Sequence, residues 1–525
     1  MAIIRFYLLA ISLLVAGACV AAQRPNIVLI VADDLGFSDL GCYGGEIATP
    51  NLDGLAQNGL RFTQCYNTAR CWPTRTALMT GYYPQQTRSD PLRKPLPRWA
   101  SLAPHWLKPA GYRCYISGKW HVNGCKRVNA DGGFDRSYIL EDHNRNFYPN
   151  RIIQDDKPLA PVQKGSNYYT SVAFTDHAID CLREHAKTNA DQPFFSCLTF
   201  TVPHFPLQAP AEAIALYRAA YTSGWECVRH ARYTRQQALQ LLPAGLSATE
   251  CEVGPPYAFP EIPSALGPNE INRALPWETL SPEQRAFQAE KMAIHAAMVH
   301  IMDQQIGRLL AQLRAMKALD NTLILFLSDN GASAEMMIRG DGHNPAAPMG
   351  SGESYLCLGP GWSTVANTPF RRHKTWVHEG GIATPLIVHW PAGIQDRNAL
   401  RTDLCHVIDI LPTFLSVAGL TPATPPRPQA PALPGISLMP AFAKEQALGA
   451  RELFFHHEGN RALRTDAYKL VSATRDRNVW ELYDMRTDRA EQHNLATQDP
   501  DRVNAMAARW QALEARFEQD SREPH

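Results

Sequence analysis

The chain has 525 residues, 45% hydrophobic and 19% charged, with a formal net charge of +1. This is ample apolar material for a large core, and the length admits more than one domain. The near-neutral balance excludes a basic nucleic-acid footprint or an acidic tail, so any charged site must be local.

The first residues read MAIIRFYLLAISLLVAGACVAA. One early cation, Arg5, precedes an apolar run that ends in small residues. This predicts a signal peptide over residues 1–22 and an exported protein, periplasmic or secreted. The run is too short for a membrane span and no later segment reaches that length, so no transmembrane anchor is expected. A lipid anchor on Cys19 is the lesser reading, because Ala16 suits that motif poorly. Export would place the cysteines in a disulfide-permissive compartment. Without Cys19 eleven remain, an odd number that directs attention to one special thiol, although several could equally be buried and free.

Residues 25–34, PNIVLIVADD, are an apolar β-branched run closed by two carboxylates, the pattern of a buried parallel strand. Residues 71–81, CWPTRTALMTG, follow. Pro73 suits a first helical turn and Gly81 a helical stop, which puts Cys71 at or just before a helix N-terminus. Free amides there favour an anion, and Arg75 lies one turn on. A buried small thiol beside a surface arginine is the plainer alternative. GYRCYISGKWH and PFFSCLTFTVPH read as strands. Lys119 and His121 follow the first, on one face if strand alternation continues, and His204 follows the second. The stretch 210–276 reads as an insertion of helices and loops able to wall a pocket, with Trp225 and Trp277 (the latter just beyond it) able to stack on a ring or simply to pack. Apolar recurrence at Met298, Met302, Ile306, Leu309, Leu313 and Met316 predicts a helix over about 295–319. LILFLSDN then repeats the first design and ends in Asp329-Asn330. Lys374 precedes the strand in ATPLIVHWPAG.

Strands alternating with helices predict an α/β fold, a large mostly parallel sheet sandwiched by helices, over residues 23–437. The proline-rich 419–437 reads as a connector or edge loop. Residues 438–525 form a smaller α+β subdomain, with short antiparallel strands in ALRTDAYKLVSA and NVWELYDMRTD, a turn near Arg475, and an amphipathic helix over about 500–517.

Ligands gather at the carboxyl ends of strands in such sheets. Asp33, Asp34, Asp329 and Asn330 offer hard oxygens suited to Ca²⁺ or, second, Mg²⁺, and not to Zn²⁺. Each pair alone is also an ordinary turn or cap.

Taken together, these segments resemble the type I sulfatases of the alkaline phosphatase superfamily. That family carries C-x-P-S-R-x-x-x-L-T-G, matched here with Thr74 and Met79 as substitutes. It also carries a first strand ending in Asp-Asp, then G-K-W-H, Pro-His, D-N-G, a lysine before E-G-G, and a closing hairpin like ELYDMRTDRAEQHNLA. The first six occur in order and, with the closing hairpin, the likeness runs over about 25–515. The resemblance implies an alkaline-phosphatase-like fold and a Ca²⁺ site of Asp33, Asp34, Asp329 and Asn330. It implies a Cys71 oxidised by a maturation enzyme to formylglycine (3-oxoalanine), whose hydrate is both metal ligand and nucleophile. Arg75 would hold that hydrate, Lys119 and Lys374 would bind sulfate, and His121 and His204 would handle protons, His204 also touching substrate. Trp72 departs from the small residue usual there and bears on maturation.

The implied activity is an arylsulfatase-like hydrolysis of sulfate monoesters, on sulfated carbohydrates or aryl sulfates. His457 is the further substrate-binding candidate; Asp341, His343 and His378 are loop residues that could line the pocket or be structural. Two other readings stay open: a phosphodiesterase or phosphonate monoester hydrolase of the same superfamily, and an inactive relative that binds sulfated glycans. Cysteine with Arg75 and two lysines argues against the first. The second requires a lost ligand or nucleophile, and every expected position is filled.

Overall fold

A computed structural model describes residues 24–142, 145–243 and 245–522. The signal peptide expected at 1–22 and the Cys19 anchor lie outside the described residues. No described helix is long and apolar enough to cross a membrane.

Among the described residues, eleven strands form the large sheet: β1 (Asn26–Asp33), β2 (Leu60–Tyr66), β3 (Arg113–Gly118), β4 (Arg136–Leu140), β5 (Ile152–Gln154), β6 (Lys157–Pro158), β7 (Phe194–Pro203), β8 (Thr322–Ser328), β9 (Ala383–His389), β10 (Ala399–Arg401) and β11 (Cys405–His406). Their order is β10-β2-β9-β8-β1-β7-β3-β4-β5-β6, with β11 also on β2. The centre, β8-β1-β7-β3-β4, is parallel. β9 runs antiparallel to both its neighbours, β2 and β8. The fold is thus the α/β sandwich expected, with β9 and, near one edge, β5 reversed within the sheet.

Alternation along β1 explains the two layers. Val28, Ile30 and Ala32 join one core, and Ile27, Leu29 and Val31 the other. Both faces are covered, which is why the strand reads as a continuous apolar run. The longest described helix spans Pro282–Ala315, thirteen residues earlier at its start than the periodicity suggests. Ser281 caps it, accepting from the Gln284 backbone N–H at 3.2 Å. Its middle is buried on nearly every side, from Met292 to Met302, so no single stripe marks that part.

A second sheet, β12 (Glu452–His457), β13 (Asn460–Thr465), β14 (Tyr468–Ser472) and β15 (Glu481–Asp484), is antiparallel and meandering. The segment expected as one strand, ALRTDAYKLVSA, is a hairpin. It folds back at Asp466-Ala467, where Tyr468 N donates to Thr465 Oγ1 at 3.1 Å. The terminal helix Pro500–Asp520 lays Met506, Trp510, Leu513 and Phe517 on this sheet; Trp510 stacks on Phe454 at 5.2 Å. The proline-rich 419–437 carries no helix or strand. A buried network clamps the small sheet to the large one. Lys469 lies 3.0 Å from Glu379 and 2.8 Å from Glu491, and Arg489 lies 2.8 Å from Glu379. All eleven described cysteines are free thiols.

Candidate active site

Strand register gathers the polar residues at one edge. β1 pairs Ala32 with Ser328 of β8, so Asp33-Asp34 and Asp329-Asn330 emerge side by side. On the other side Asp33 faces Pro203 of β7, next to His204. β3 ends against β7, and Lys119 N donates to Thr199 O at 2.8 Å. Because β9 is antiparallel, the segment leading into it, which holds Lys374, starts from this same edge. β2 delivers its carboxyl end here too, and a four-residue loop leads into the helix Cys71–Thr80.

Cys71 is the first residue of that helix and is buried. Thr74, where the resembled motif has serine, keeps a hydroxyl that closes the entering loop. It accepts from Thr68 N at 3.0 Å and lies 2.8 Å from the Thr68 hydroxyl. Gly81 stops the helix at φ 74°, where a Cβ would be strained. Arg75 pins the helix to the strand ends: Nε donates to Asp329 at 2.8 Å and Nη1 to Lys119 O at 2.8 Å. Lys119 Nζ lies 2.6 Å from Asp33. Lys374 Nζ lies 2.9 Å from Asp34 and 2.8 Å from Glu335. His204 Nε2 stands 3.7 Å from Asp34, and its Nδ1 meets the Phe205 carbonyl. His121 takes a left-handed backbone, φ 52°, so a turn after the strand, not strand alternation, brings it beside Lys119.

The charges are strongly coupled. Burial opposes the charge of Asp33, but Lys119, with Arg75 and Lys374, outweighs it and holds the carboxyl well below its usual range. Burial and the Asp33 charge push Asp329 well above that range. Burial opposes the Lys374 charge too, but Asp34 and Glu335 hold it as an ammonium. Burial brings His204 down to about 3 and His121 well below its ordinary value, so both rings are neutral near pH 7.

A hard cation fits this floor. Ligand atoms of Asp33, Asp34 and His204 lie within 4.8 Å of one another. Asp33 Oδ1 and Asn330 Oδ1 are buried oxygens without a hydrogen-bond donor, an arrangement that costs free energy unless something positive meets them. The donors are nearly all oxygens, which suits Ca²⁺ or Mg²⁺.

Above the floor opens a cavity of about 410 Å³, lined in part by Cys71, Trp72, Lys119, His121, His204 and Lys374. The family model for sulfatases matches residues 25–420. The chain belongs to the sulfatase family. A model for the N-sulphoglucosamine sulphohydrolase C-terminal region matches residues 371–519 of this sulfatase. An uncharacterized sulfatase of Schizosaccharomyces pombe is 30% identical, with 94% of both chains covered. An arylsulfatase of Klebsiella aerogenes is 30% identical over 79% of this chain and 91% of its own. Among solved structures, Ps i-CgsB in complex with k-i-k-neocarrahexaose superposes with a TM-score of 0.67 at 22% identity, covering 96% of this chain and 95% of that one; this shows the fold. The sulfatase is accordingly a sulfuric ester hydrolase of the alkaline phosphatase superfamily.

Some candidates lie elsewhere. His457 does not line the cavity. It is fully buried behind Trp72, with ring centroids 5.6 Å apart, and its Nδ1 lies 3.0 Å from Asp90. His378 is buried against Glu481 at 3.2 Å. Asp341 and His343 line a neighbouring cavity. Trp225 and Trp277 pack edge to face at 4.8 Å, and each also meets Trp362. Sequence reasoning missed Arg70, Glu335, Arg93, Glu141 and Arg339. Arg70 directly precedes the cysteine motif, and Glu335 follows D-N-G by four residues; those adjacencies were the available signal. Arg93, Glu141 and Arg339 sit outside every motif.

Proposed function

We propose that this sulfatase is exported and hydrolyses sulfate monoesters of carbohydrates, and aryl sulfates in vitro, to an alcohol and inorganic sulfate. In this reading a maturation enzyme converts Cys71 to formylglycine, and Ca²⁺, with Mg²⁺ second, is held by Asp33, Asp34, Asp329, Asn330 and residue 71. The observation that carries it is the meeting of Cys71, two lysines and two histidines in one cavity directly above three buried carboxylates. The arylsulfatase relative and the oligosaccharide held by Ps i-CgsB support the substrate class, as does the match to a sulphohydrolase C-terminal region. The N-terminal segment supports export.

When present, the aldehyde hydrate supplies a hydroxyl nucleophile at position 71 and the cation offsets charge on the sulfate oxygens. The chain's own residues do the rest. The helix N-terminus aims its free amides at the anion. Lys119 and Lys374 bind the non-bridging oxygens and orient the ester for in-line displacement. His204 presents Nε2 to the cavity, because its Nδ1–H is taken by the Phe205 carbonyl. Lys374, kept protonated by Asp34 and Glu335, gives a proton to the departing alcohol oxygen, with His204 Nε2 beside it. His121, held neutral, accepts the proton whose removal releases sulfate. Arg75 stays on Asp329 and Lys119 O, and keeps residue 71 over the floor.

The test is turnover of nitrophenyl sulfate against a nitrophenyl phosphate diester, with mass spectrometry of the peptide containing Cys71. Sulfate preference and loss of the thiol are expected. A preference for the phosphate diester, or an intact alkylatable thiol in active protein, overturns this reading. Tight binding of sulfated glycans without sulfate release by matured protein would make it a binding relative.

A further inference from the structure

The cations around the catalytic cavity are almost all committed. Arg70 lies 2.8 Å from Glu335, and Arg93 lies 3.8 Å from Glu458 with its guanidinium 3.9 Å over the Trp72 ring. Lys119 is paired with Asp33, and Lys374 with Asp34 and Glu335. Arg339 is different. It lines the same cavity and is exposed, and among the described residues no carboxylate stands at ion-pair distance from it. Its guanidinium rests 5.5 Å over the Phe205 ring, whose face also carries Lys374 at 5.5 Å. One aromatic ring thus spaces a sulfate-binding lysine from an uncommitted arginine.

Arg339 also lines a second cavity of about 430 Å³, within the ~300–1,000 Å³ range of small-molecule sites. Tyr148 and Tyr355 offer flat faces there, and Gln208, His343 and Asn344 offer hydrogen-bonding groups. The other cations of that cavity are neutralised, Arg145 by Asp142 and Asp341, and Lys164 by Glu353. Arg339 therefore lines both cavities and brings the unpaired positive charge to each. A planar fork of donors suits sulfate and carboxylate alike.

We propose that Arg339 is a specificity-determining residue that receives a second anionic group of the substrate, a sulfate or a carboxylate, carried by a sugar seated in the adjoining cavity. The preferred substrate is then a polyanionic saccharide of at least two units. This rests on the sulfatase reading and narrows its substrate class.

The experiment uses the matured full chain and disaccharides that share one sulfated sugar. The neighbouring unit is neutral, sulfated or a uronate. Wild-type kcat/KM is expected to be about tenfold higher for a charged neighbour than for the neutral one. The preference should shrink on raising salt from roughly 0.05 to 0.5 M. Arg339→Ala should bring the ratio to about one, and Arg339→Lys should retain part of it. The sulfate and uronate arms identify the anion. Equal wild-type kcat/KM for all neighbours, or a preference that survives Arg339→Ala, overturns the proposal. Failure on nitrophenyl sulfate sinks the sulfatase reading instead. The same disaccharides are then compared by Kd from calorimetry, where tighter binding of the charged ones, abolished by Arg339→Ala, still supports the role of Arg339. Equal Kd values, or a preference that survives the substitution, overturn it there too.

Discussion

At the floor of the cavity Asp33, Lys119, Arg75 and Asp329 are buried and tied to one another at 2.6–2.8 Å. At the rim Arg93 and Arg339 stand largely in solvent and touch ring faces. Asp33, Lys119 and Asp329 stand at the ends of β1, β3 and β8 at positions set by backbone register, and Arg75, on the helix Cys71–Thr80, is tied to them, so their spacing can hardly vary. Rim residues hang on loops and are placed by stacking. Floors of this kind suit chemistry, where small misplacements are costly. Rims suit discrimination, where a long side chain can follow the shape of a leaving group.

That contrast should appear as a hierarchy of effects. Removing the proposed nucleophile is the most severe test, and Cys71→Ala is expected to reduce nitrophenyl sulfate turnover to background. Next is the floor charge. Lys119→Ala should lower kcat about 10²–10³-fold, the range for losing one preorganised stabilising group, measured at saturating substrate on matured protein. Chelation comes next. Exhaustive dialysis against a chelator should lower both activity and Tm, and Ca²⁺ should restore both; stabilisation near 100 times Kd is worth about 2.7 kcal/mol. Unchanged Tm would mean the floor is complete without a cation and would break the contrast at its base.

The rim should respond far less. Arg93→Ala loses a stacking contact worth about 0.5–1 kcal/mol, so roughly a two- to fivefold rise in KM with little change in kcat is expected. A hundredfold fall in kcat would move Arg93 into the floor. The smallest effect lies away from both regions. Burial, then Arg451, brings His406 down to about 3 from 6.5, so the folded state binds fewer protons than the unfolded chain between those values. Its contribution to stability is present above pH 6.5 and is lost as pH falls toward 3. Tm of His406→Gln should therefore change less between pH 7 and pH 5 than wild-type Tm does.

Several features needed no tertiary information. Asp33-Asp34 and Asp329-Asn330 close apolar runs, and such runs are strands whichever neighbours they take. Pro73 and Gly81 bracket a helix because one fits its first turn and the other its left-handed stop. The order of six motifs indicated the family. The physical reason is that these signals are local, a period of two or one constrained φ angle.

Other features belong to the tertiary structure alone. Nothing local reverses β9, yet that reversal puts Lys374 at the same edge as Asp34. The buried middle of the helix Pro282–Ala315 has no stripe to read, because neighbours cover it on nearly every side. His457 carries a motif-like setting in ELFFHHEGN, but Asp90, distant in sequence, draws its ring behind Trp72. Arg339 stands in no motif, and its significance comes from what it lacks, a carboxylate within reach among the described residues. A partner's absence is a property of three-dimensional packing, and no spacing along the chain encodes it.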